Sequence, residues 1–265
     1  MKRLMFCAFV IFFGSAVCAD TVTEIFPYQK ETDSVIFIDK KTKEKRSELT
    51  YTLKKTLSPG EAAFDFYRTG KGKCDKYQDI TWETTARLKE KEGFLYLLNS
   101  SCVAKDPRGN IILRYEKQFD YDNRLITWRQ LDADGKIEKE ARYPIKGKTT
   151  DDVTLVYFLR TYVANRNTPG YQTYYFLSNE PKLYKVNIRV LGNETLDLPI
   201  GTKKAIKLKL TGDMGIVDDI LDKYVPHTYV WYEDAPPHEW LQYEGLETSM
   251  QSANVIAYVR ERSRK

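Results

Sequence analysis

The feature that most constrains the fold is an alternation of apolar and polar side chains in many short segments. In "ITWETTARL" (residues 80–88), every second residue from Ile80 to Leu88 lies on one side of an extended chain, opposite Glu83 and Arg87. In "AIKLKL" (205–210), aliphatic residues oppose two lysines. Because successive side chains of a strand point to opposite faces, this pattern indicates strands with one buried face. Such strands are typical of an antiparallel sheet.

One segment breaks the alternation. "TTDDVTLVYFLRTYV" (149–163) has helical spacing, with Thr150 as a predicted N-cap and Asp151 and Asp152 in the first turn. Most of its circumference is apolar, so we expect this helix to be buried on more than one side. A second short helix is predicted at "GIVDDILDKYV" (215–225).

Turn signals such as "DPRGN" (106–110) and "DADGK" (132–136) separate the alternating segments at short intervals, as in a meander. No linker rich in Pro, Gly or Ser divides the chain. The sequence therefore predicts one mostly β (β-rich α+β) domain over residues 20–265. Its architecture is a large curved antiparallel sheet, or partial barrel, wrapped around one main helix.

The N-terminus has the organisation of a signal peptide. Basic Lys2 and Arg3 precede an apolar run over residues 4–13, and small residues precede a predicted cleavage before Asp20. Residues 1–19 are thus predicted to be removed, and the mature protein is predicted to lie in the periplasm. A transmembrane anchor and a lipoprotein acylated at Cys18 are the alternatives.

The charge of the chain does not favour nucleic acid as a partner. Its formal net charge is +5, Lys2 and Arg3 would leave with the signal peptide, and the remaining charges are interspersed. The basic tail "RERSRK" (260–265) is interpreted as a solvated terminus. No later stretch is long and apolar enough to span a membrane.

Cysteine usage predicts a disulfide. Cys7 and Cys18 lie within the predicted signal peptide, which leaves Cys74 and Cys102. An even pair in an exported chain indicates a disulfide between them. Neither a metal site nor a redox pair is favoured, because no second Cys lies near either residue.

Motifs of several enzyme classes are missing, including Gly-x-Ser-x-Gly, the Walker loop and Gly-x-Gly-x-x-Gly. A glycoside hydrolase that uses a pair of carboxylates remains an alternative, because acidic residues are numerous. We predict no catalytic residues and no cofactor.

Both histidines lie in "HTYVWYEDAPPHEWLQYEGL" (227–246). "HEWLQ" has Gln242 where a zinc-binding helix has its second His, so no metal site is predicted. Alternation on either side of "EDAPPH" predicts a hairpin, with the His-bearing tip in solvent. A hydrolase using carboxylates near His227 or His238 is the least favoured functional hypothesis.

Aromatic residues of the second half suggest a ligand site. An apolar cavity between helix and sheet would suit a lipid or another apolar ligand, although ordinary core packing explains the same residues. Trp231 and Tyr243 are predicted to face the concave side of the sheet. The candidate ligand-binding residues are Phe158, Tyr162, Tyr174, Phe176, Trp231 and Tyr243.

Residues of about 150–260 resemble the DUF3108 family of uncharacterised exported bacterial proteins. The resemblance lies in "YFLRTYV" (157–163), the long segment 174–210, "YVWYEDAPPHEWLQYEGL" (229–246) and "ANVIAYV" (253–259). It includes a Tyr-x-Val strand, a Pro-x-Gly turn and a Trp strand followed by an acidic turn. A weaker likeness covers "YDNRLITWRQLDADGK" (121–136). The resemblance implies a periplasmic, mostly antiparallel β protein without an established activity.

These observations favour a non-catalytic envelope protein that binds an apolar ligand or an envelope component in the concave face of the sheet. A structural or assembly accessory that acts through a protein–protein interface is the alternative.

Overall fold

A computed structural model describes residues 25–58, 61–74, 76–91, 93–167, 173–212, 227–248 and 252–265. The predicted signal peptide (1–19), with Cys18, and the predicted second helix (215–225) lie outside the described residues.

In the described part of the chain, fifteen strands and one main helix, α1 (Leu155–Ala164), make up the regular structure. The strands before α1 are β1 (Lys30–Asp39), β2 (Lys45–Ser58), β3 (Glu61–Cys74), β4 (Tyr77–Lys91), β5 (Phe94–Lys105), β6 (Ile111–Asp120), β7 (Leu125–Leu131), β8 (Ile137–Pro144) and β9 (Thr149–Asp151). The strands after it are β10 (Thr173–Leu177), β11 (Leu183–Leu198), β12 (Gly201–Gly212), β13 (Thr228–Glu233), β14 (Trp240–Leu246) and β15 (Asn254–Arg264).

All fifteen of these strands belong to one sheet, in the order β8-β7-β6-β5-β4-β3-β2-β1-β15-β14-β13-β12-β11-β10-β9. Neighbours are antiparallel except for β9 and β10, which are parallel. The two edge strands, β8 and β9, are joined by residues 145–148 alone. Because the five residue steps from Pro144 to Thr149 span at most about 18 Å, the edges approach each other and the sheet curls without closing. The predicted curved antiparallel sheet around one main helix is confirmed.

The helix begins later than predicted. Thr150 and Asp151 belong to β9, and Thr154 is the N-cap residue of α1. The Asp151 carboxylate accepts hydrogen bonds from the Val153 and Thr154 N–H groups, so it shapes the turn before the helix. The predicted burial on more than one side is confirmed, because every residue from Tyr157 to Val163 is buried.

The predicted disulfide is wrong. Cys74 ends β3 and Cys102 lies within β5, with β4 between the two strands. Cys102 is opposite Thr84, which is opposite Arg68, six positions before Cys74. At about 3.3 Å per residue, this offset alone separates the cysteines by about 20 Å, far beyond disulfide reach. The number of cysteines gives no information about the strand register, and it is this register that separates Cys74 from Cys102.

Gly70 on β3 leaves space for an aromatic neighbour. A Cβ atom at this position would lie inside van der Waals contact of the Trp82 indole. We therefore expect Gly70→Ala to lower the free energy of unfolding by about 1–3 kcal/mol through overpacking. Gly212→Ala is the matched control, because a Cβ at this position would meet no atom of the described residues within 4 Å. Urea unfolding of both variants checks this, and equal midpoints would contradict it.

Candidate functional site

Helix α1 lies against the concave side of the sheet and contributes aromatic side chains to its core. Phe158 and Tyr162, both predicted to line a ligand site, are buried there. The Phe158 ring lies 5.2 Å from the ring of Tyr174 on β10, measured between centroids. Tyr232 on β13 donates a hydrogen bond of 2.6 Å to the Val156 carbonyl. Three of the predicted residues thus meet between helix and sheet.

Two further predicted residues lie at the margin of this core. Phe176 on β10 and Tyr243 on β14 are partly buried and pack against the same cluster. The Tyr243 hydroxyl donates to the Leu246 carbonyl at 2.7 Å. The predicted concave placement of Tyr243 therefore agrees with the structure.

Trp231 lies on the opposite face of the sheet, so its predicted concave placement is wrong. Val230 and Tyr232 take the positions that face α1, and alternation along β13 turns Trp231 away. Its indole N–H donates to Glu194 on β11, and it packs with Leu241. Leucine and isoleucine residues of the β11–β12 hairpin pack against it, namely Leu196, Leu198 and Ile200. Both faces of β13 carry large apolar residues, so the alternation in the sequence did not show which face lies on the concave side.

The apolar core reaches the surface along β11. Val186 and Ile188 are buried in the main core, whereas Tyr184 and Val190, at the alternating positions on either side, are 42% and 40% exposed. Gly192 then adopts a φ of +136° at a register shift, which ends this regular alternation. Tyr184 and Val190 thus form a rim, an apolar margin between the core and solvent.

Burial changes the acidity of the core tyrosines. It raises the pKa of Tyr243 to about 12, and it also raises the pKa of Tyr157, Tyr174 and Tyr232. Unfolded tyrosines lose their protons near pH 10, while buried ones retain them, so unfolding becomes more favourable as pH rises above about 10. Each tyrosine contributes up to about 1.4 kcal/mol per pH unit.

We therefore expect the urea midpoint to be insensitive to tyrosine ionisation below about pH 9 and to fall steeply above about pH 10. Tyrosinate absorbance during the same titration should rise with unfolding. A midpoint that stays constant up to about pH 11 would contradict this expectation.

A buried ionic cluster holds the chain just before α1. The Lys117 ammonium on β6 has no exposed surface and contacts Asp151 at 3.2 Å and Asp152 at 2.7 Å. Burial acts to lower the pKa of Lys117, but the two carboxylates outweigh it and raise that pKa. Asn179 accepts from Lys117 at 3.2 Å and donates to Asp152 at 3.0 Å. The cluster joins β6, β9 and the residues after β10.

Lys117 also lies opposite Ser100 on β5, an arrangement with the residue types of a serine–lysine catalytic pair. The Ser100 hydroxyl donates to Asp151 at 2.7 Å and is buried. With its raised pKa, Lys117 is a cation and does not act as a general base near neutral pH. In this arrangement the Ser100 hydroxyl and the Lys117 ammonium both bind carboxylates of the ionic cluster, so both side chains support the cluster.

A second ionic cluster fixes the middle of α1. Arg160 and Glu31 on β1 are each only 2% exposed, and their side chains pair at 2.6 Å. Arg160 Nε also donates to the Pro237 carbonyl at 2.8 Å, and its guanidinium lies 4.5 Å from the Phe26 ring centroid. Burial raises the pKa of Glu31, and the attraction of Arg160 offsets that effect only in part.

The C-terminal strand extends this second cluster. Arg262 contacts Asp33 at 3.1 Å and Glu239 at 2.8 Å, and Arg264 contacts Asp33 at 2.8 Å. Burial acts to raise the pKa of Glu239, but Arg262 and Arg264 outweigh it and lower that pKa. The interpretation of "RERSRK" as a solvated tail is therefore wrong, because β15 continues to Arg264.

The region of the two histidines is a hairpin, as predicted, formed by β13 and β14. The prediction that its His-bearing tip lies in solvent is wrong for His238, which is buried, with Nδ1 3.0 Å from the Glu233 carbonyl. His227 is half-buried and lies beside the Tyr229 ring. Among the described residues, no group of three or more His, Cys, Asp and Glu residues is placed to hold a metal ion.

Sequence reasoning missed Lys117, Arg160 and Glu31. A signal existed for the first two. Lys117 alternates with the buried Tyr115 and Phe119 on β6, and Arg160 interrupts an apolar helix. A charged residue at a position where the repeating pattern has apolar residues predicts that its side chain is buried with a partner. The pattern does not identify that partner.

Comparison with protein families identifies a part of the chain that begins within β6, ends within β14 and contains α1. Residues 114–244 match the DUF3108 family, described as a protein of unknown function. The resemblance seen in the sequence is thereby confirmed for this part of the chain. The match includes the "YDNRLITWRQLDADGK" hairpins that showed only a weaker likeness. A search of curated proteins finds no match.

Three solved structures are similar at low identity. A β-barrel-like protein of the DUF1849 family from Brucella abortus is 8% identical, with a TM-score of 0.47 over 89% of this chain and 97% of that chain. A protein described as exported, with a YmcC-like fold, from Bacteroides fragilis is 9% identical, with a TM-score of 0.36 over 88% and 95%. A protein from Parabacteroides distasonis described as a lipoprotein is 9% identical, with a TM-score of 0.32 over 89% and 95%.

Within the residues that the structure describes, no helix has both the length and the apolar character needed to cross a membrane.

Proposed function

We propose that this protein is a non-catalytic, periplasmic binding protein of the cell envelope. It holds a lipid or another apolar ligand between α1 and the concave face of the sheet. The N-terminal signal sequence supports export, and the curled sheet supplies an apolar interior.

The observation that carries this proposal is the rim on β11. Phe176 lies opposite Tyr184 on the neighbouring strand, so partly exposed aromatic surface leads directly into the buried core. Exposed apolar surface that continues a core is a feature of ligand-binding clefts and interaction sites. Phe158, Tyr162 and Tyr174 lie deeper in the same cluster, and Tyr243 lies at its margin.

The rim gives a direct test with a matched control. We expect the purified protein to bind a fluorescent fatty acid and Tyr184→Glu to weaken that binding about tenfold or more, because a charge at the rim opposes apolar contact. Tyr67→Glu, a replacement at a tyrosine that is 50% exposed on β3, should bind like the wild type.

Failure of the wild-type protein to bind any apolar probe would overturn the proposal, as would equal loss in both variants. Native mass spectrometry after gentle purification provides an independent measurement, because a retained ligand adds a discrete mass to the protein.

A second candidate function is an assembly role through a protein interface, favoured by β8. This strand ends the sheet, its side chains are mostly exposed, and Ile137 is 55% exposed. A terminal strand leaves backbone N–H and C=O groups with which a strand of another chain can pair, and the exposed Ile137 adds an apolar contact for that partner. Cross-linking from β8 in the native envelope tests this alternative.

A further inference from the structure

A small cavity lies where α1, β1 and β14 meet. Its volume is about 10 Å³, and its walls include Glu31, Arg160, Trp240, Tyr51 and Tyr157. This volume is close to the minimum that one water-sized group occupies. The site is therefore too small for a ring or an acyl chain, and it is separate from the ligand surface proposed above.

Three polar atoms of the cavity-lining residues have no hydrogen-bond partner in the described structure. They are Glu31 Oε1, Arg160 Nη2 and Trp240 Nε1, all fully buried. Each belongs to a side chain whose orientation is already fixed. Glu31 Oε2 pairs with Arg160 Nη1 at 2.6 Å, and the Trp240 ring lies 6.1 Å from the Tyr51 ring, measured between centroids.

The hydrogen-bond donors and acceptors among these atoms determine which chemical group can occupy the cavity. Two N–H groups require an acceptor, whereas the Glu31 carboxylate requires a donor. A metal cation would face the Arg160 guanidinium, and an anion would face the Glu31 carboxylate, so neither ion suits the site. A neutral hydroxyl group accepts two hydrogen bonds and donates one, which satisfies all three atoms.

The surrounding charges are already paired, which also argues against an ion. Asp33 contacts Arg264 at 2.8 Å, and Glu239 contacts Arg262 at 2.8 Å. With Glu31 paired to Arg160, each carboxylate near the cavity has a guanidinium partner. No net charge remains for an ion to balance.

We infer that this cavity is a binding site for one neutral hydroxyl group, which links Arg160 of α1 to Glu31 of β1 and Trp240 of β14. At a volume of about 10 Å³, the group that fits is one buried water molecule. It completes the hydrogen bonds of a junction between three elements that are distant in sequence.

A high-resolution crystal structure of the wild-type protein tests this inference. We expect one oxygen peak within about 3.2 Å of Glu31 Oε1, Arg160 Nη2 and Trp240 Nε1. A second crystal soaked with 1-octanol should show the same isolated peak, because the cavity has no room for an acyl chain, and density that continues from the peak would contradict the inference. Absence of a peak, or its replacement by bromide in a bromide soak, would overturn the inference.

Nuclear magnetic resonance gives a second measurement that needs no variant. The Trp240 indole proton should show a nuclear Overhauser effect to a hydroxyl or water proton. Trp231 is the matched control, because it is also buried and its indole donates to Glu194 instead. A Trp240 indole that behaves like that of Trp231 would contradict the inference without bearing on ligand binding at the rim.

Discussion

Replacing Arg160 with Met is expected to lower the free energy of unfolding by about 3–5 kcal/mol. The replacement introduces an apolar side chain of similar length into α1. It leaves the Glu31 carboxylate buried without its cation. It also removes the hydrogen bond to the Pro237 carbonyl. Urea unfolding at neutral pH measures the effect, and Arg142→Met, at an arginine with a 62% exposed side chain, is the control.

The pH dependence of the Arg160→Met variant provides an internal check. Burial raises the pKa of Glu31, and Arg160 opposes this effect in the wild type. Without Arg160 the native state binds a proton at Glu31 more tightly than the unfolded state does, so stability is recovered as pH falls. Glu31→Gln in the Arg160→Met background should recover part of the loss at neutral pH, and strictly additive losses would rule out coupling between the two residues.

Replacing Lys117 with Met is expected to cost a similar amount, about 3–5 kcal/mol. The Lys117 ammonium contacts two carboxylates and has no exposed surface, so its loss leaves Asp151 and Asp152 in a buried region without their shared cation. Arg68 lies 3.6 Å from Asp152 and compensates only one of them. Thermal and urea unfolding measure this effect.

Lys139→Met on β8 is the matched control, because Lys139 is exposed. It should change stability by no more than about 0.5 kcal/mol. Asp152→Asn is expected to restore part of the stability of the Lys117→Met variant. If Lys117→Met unfolds at the same urea concentration as Lys139→Met, the ionic cluster does not hold the start of α1.

Local features of the fold were predictable from the sequence. The alternation in "ITWETTARL" predicted which face of β4 is buried, and Ile80, Trp82, Thr84, Ala86 and Leu88 are indeed buried. The hairpin around "EDAPPH" and the buried helix were also predicted. The start of α1 was misplaced because Thr150 and Asp151 pair with β10. A helix-capping pattern involves only neighbouring residues and gives no information about this pairing.

The candidate site was predicted only in part. Phe158, Tyr162 and Tyr174 lie together as expected, because a helix with apolar residues on most sides must pack on a sheet. Trp231 was misplaced because both faces of β13 bury large side chains. The ligand-binding role of all six residues stays a prediction.

The sequence by itself determined which segments are strands and which is the main helix, and which faces of them are buried. Both properties depend on residues that are only a few positions apart. Only the tertiary structure decided the strand register that keeps Cys74 and Cys102 apart, and which charges meet inside the sheet. Arg160 and Glu31 are 129 residues apart in the chain. Their pairing depends on the position of β1 in the middle of the curled sheet beneath α1, and no local pattern contains that position.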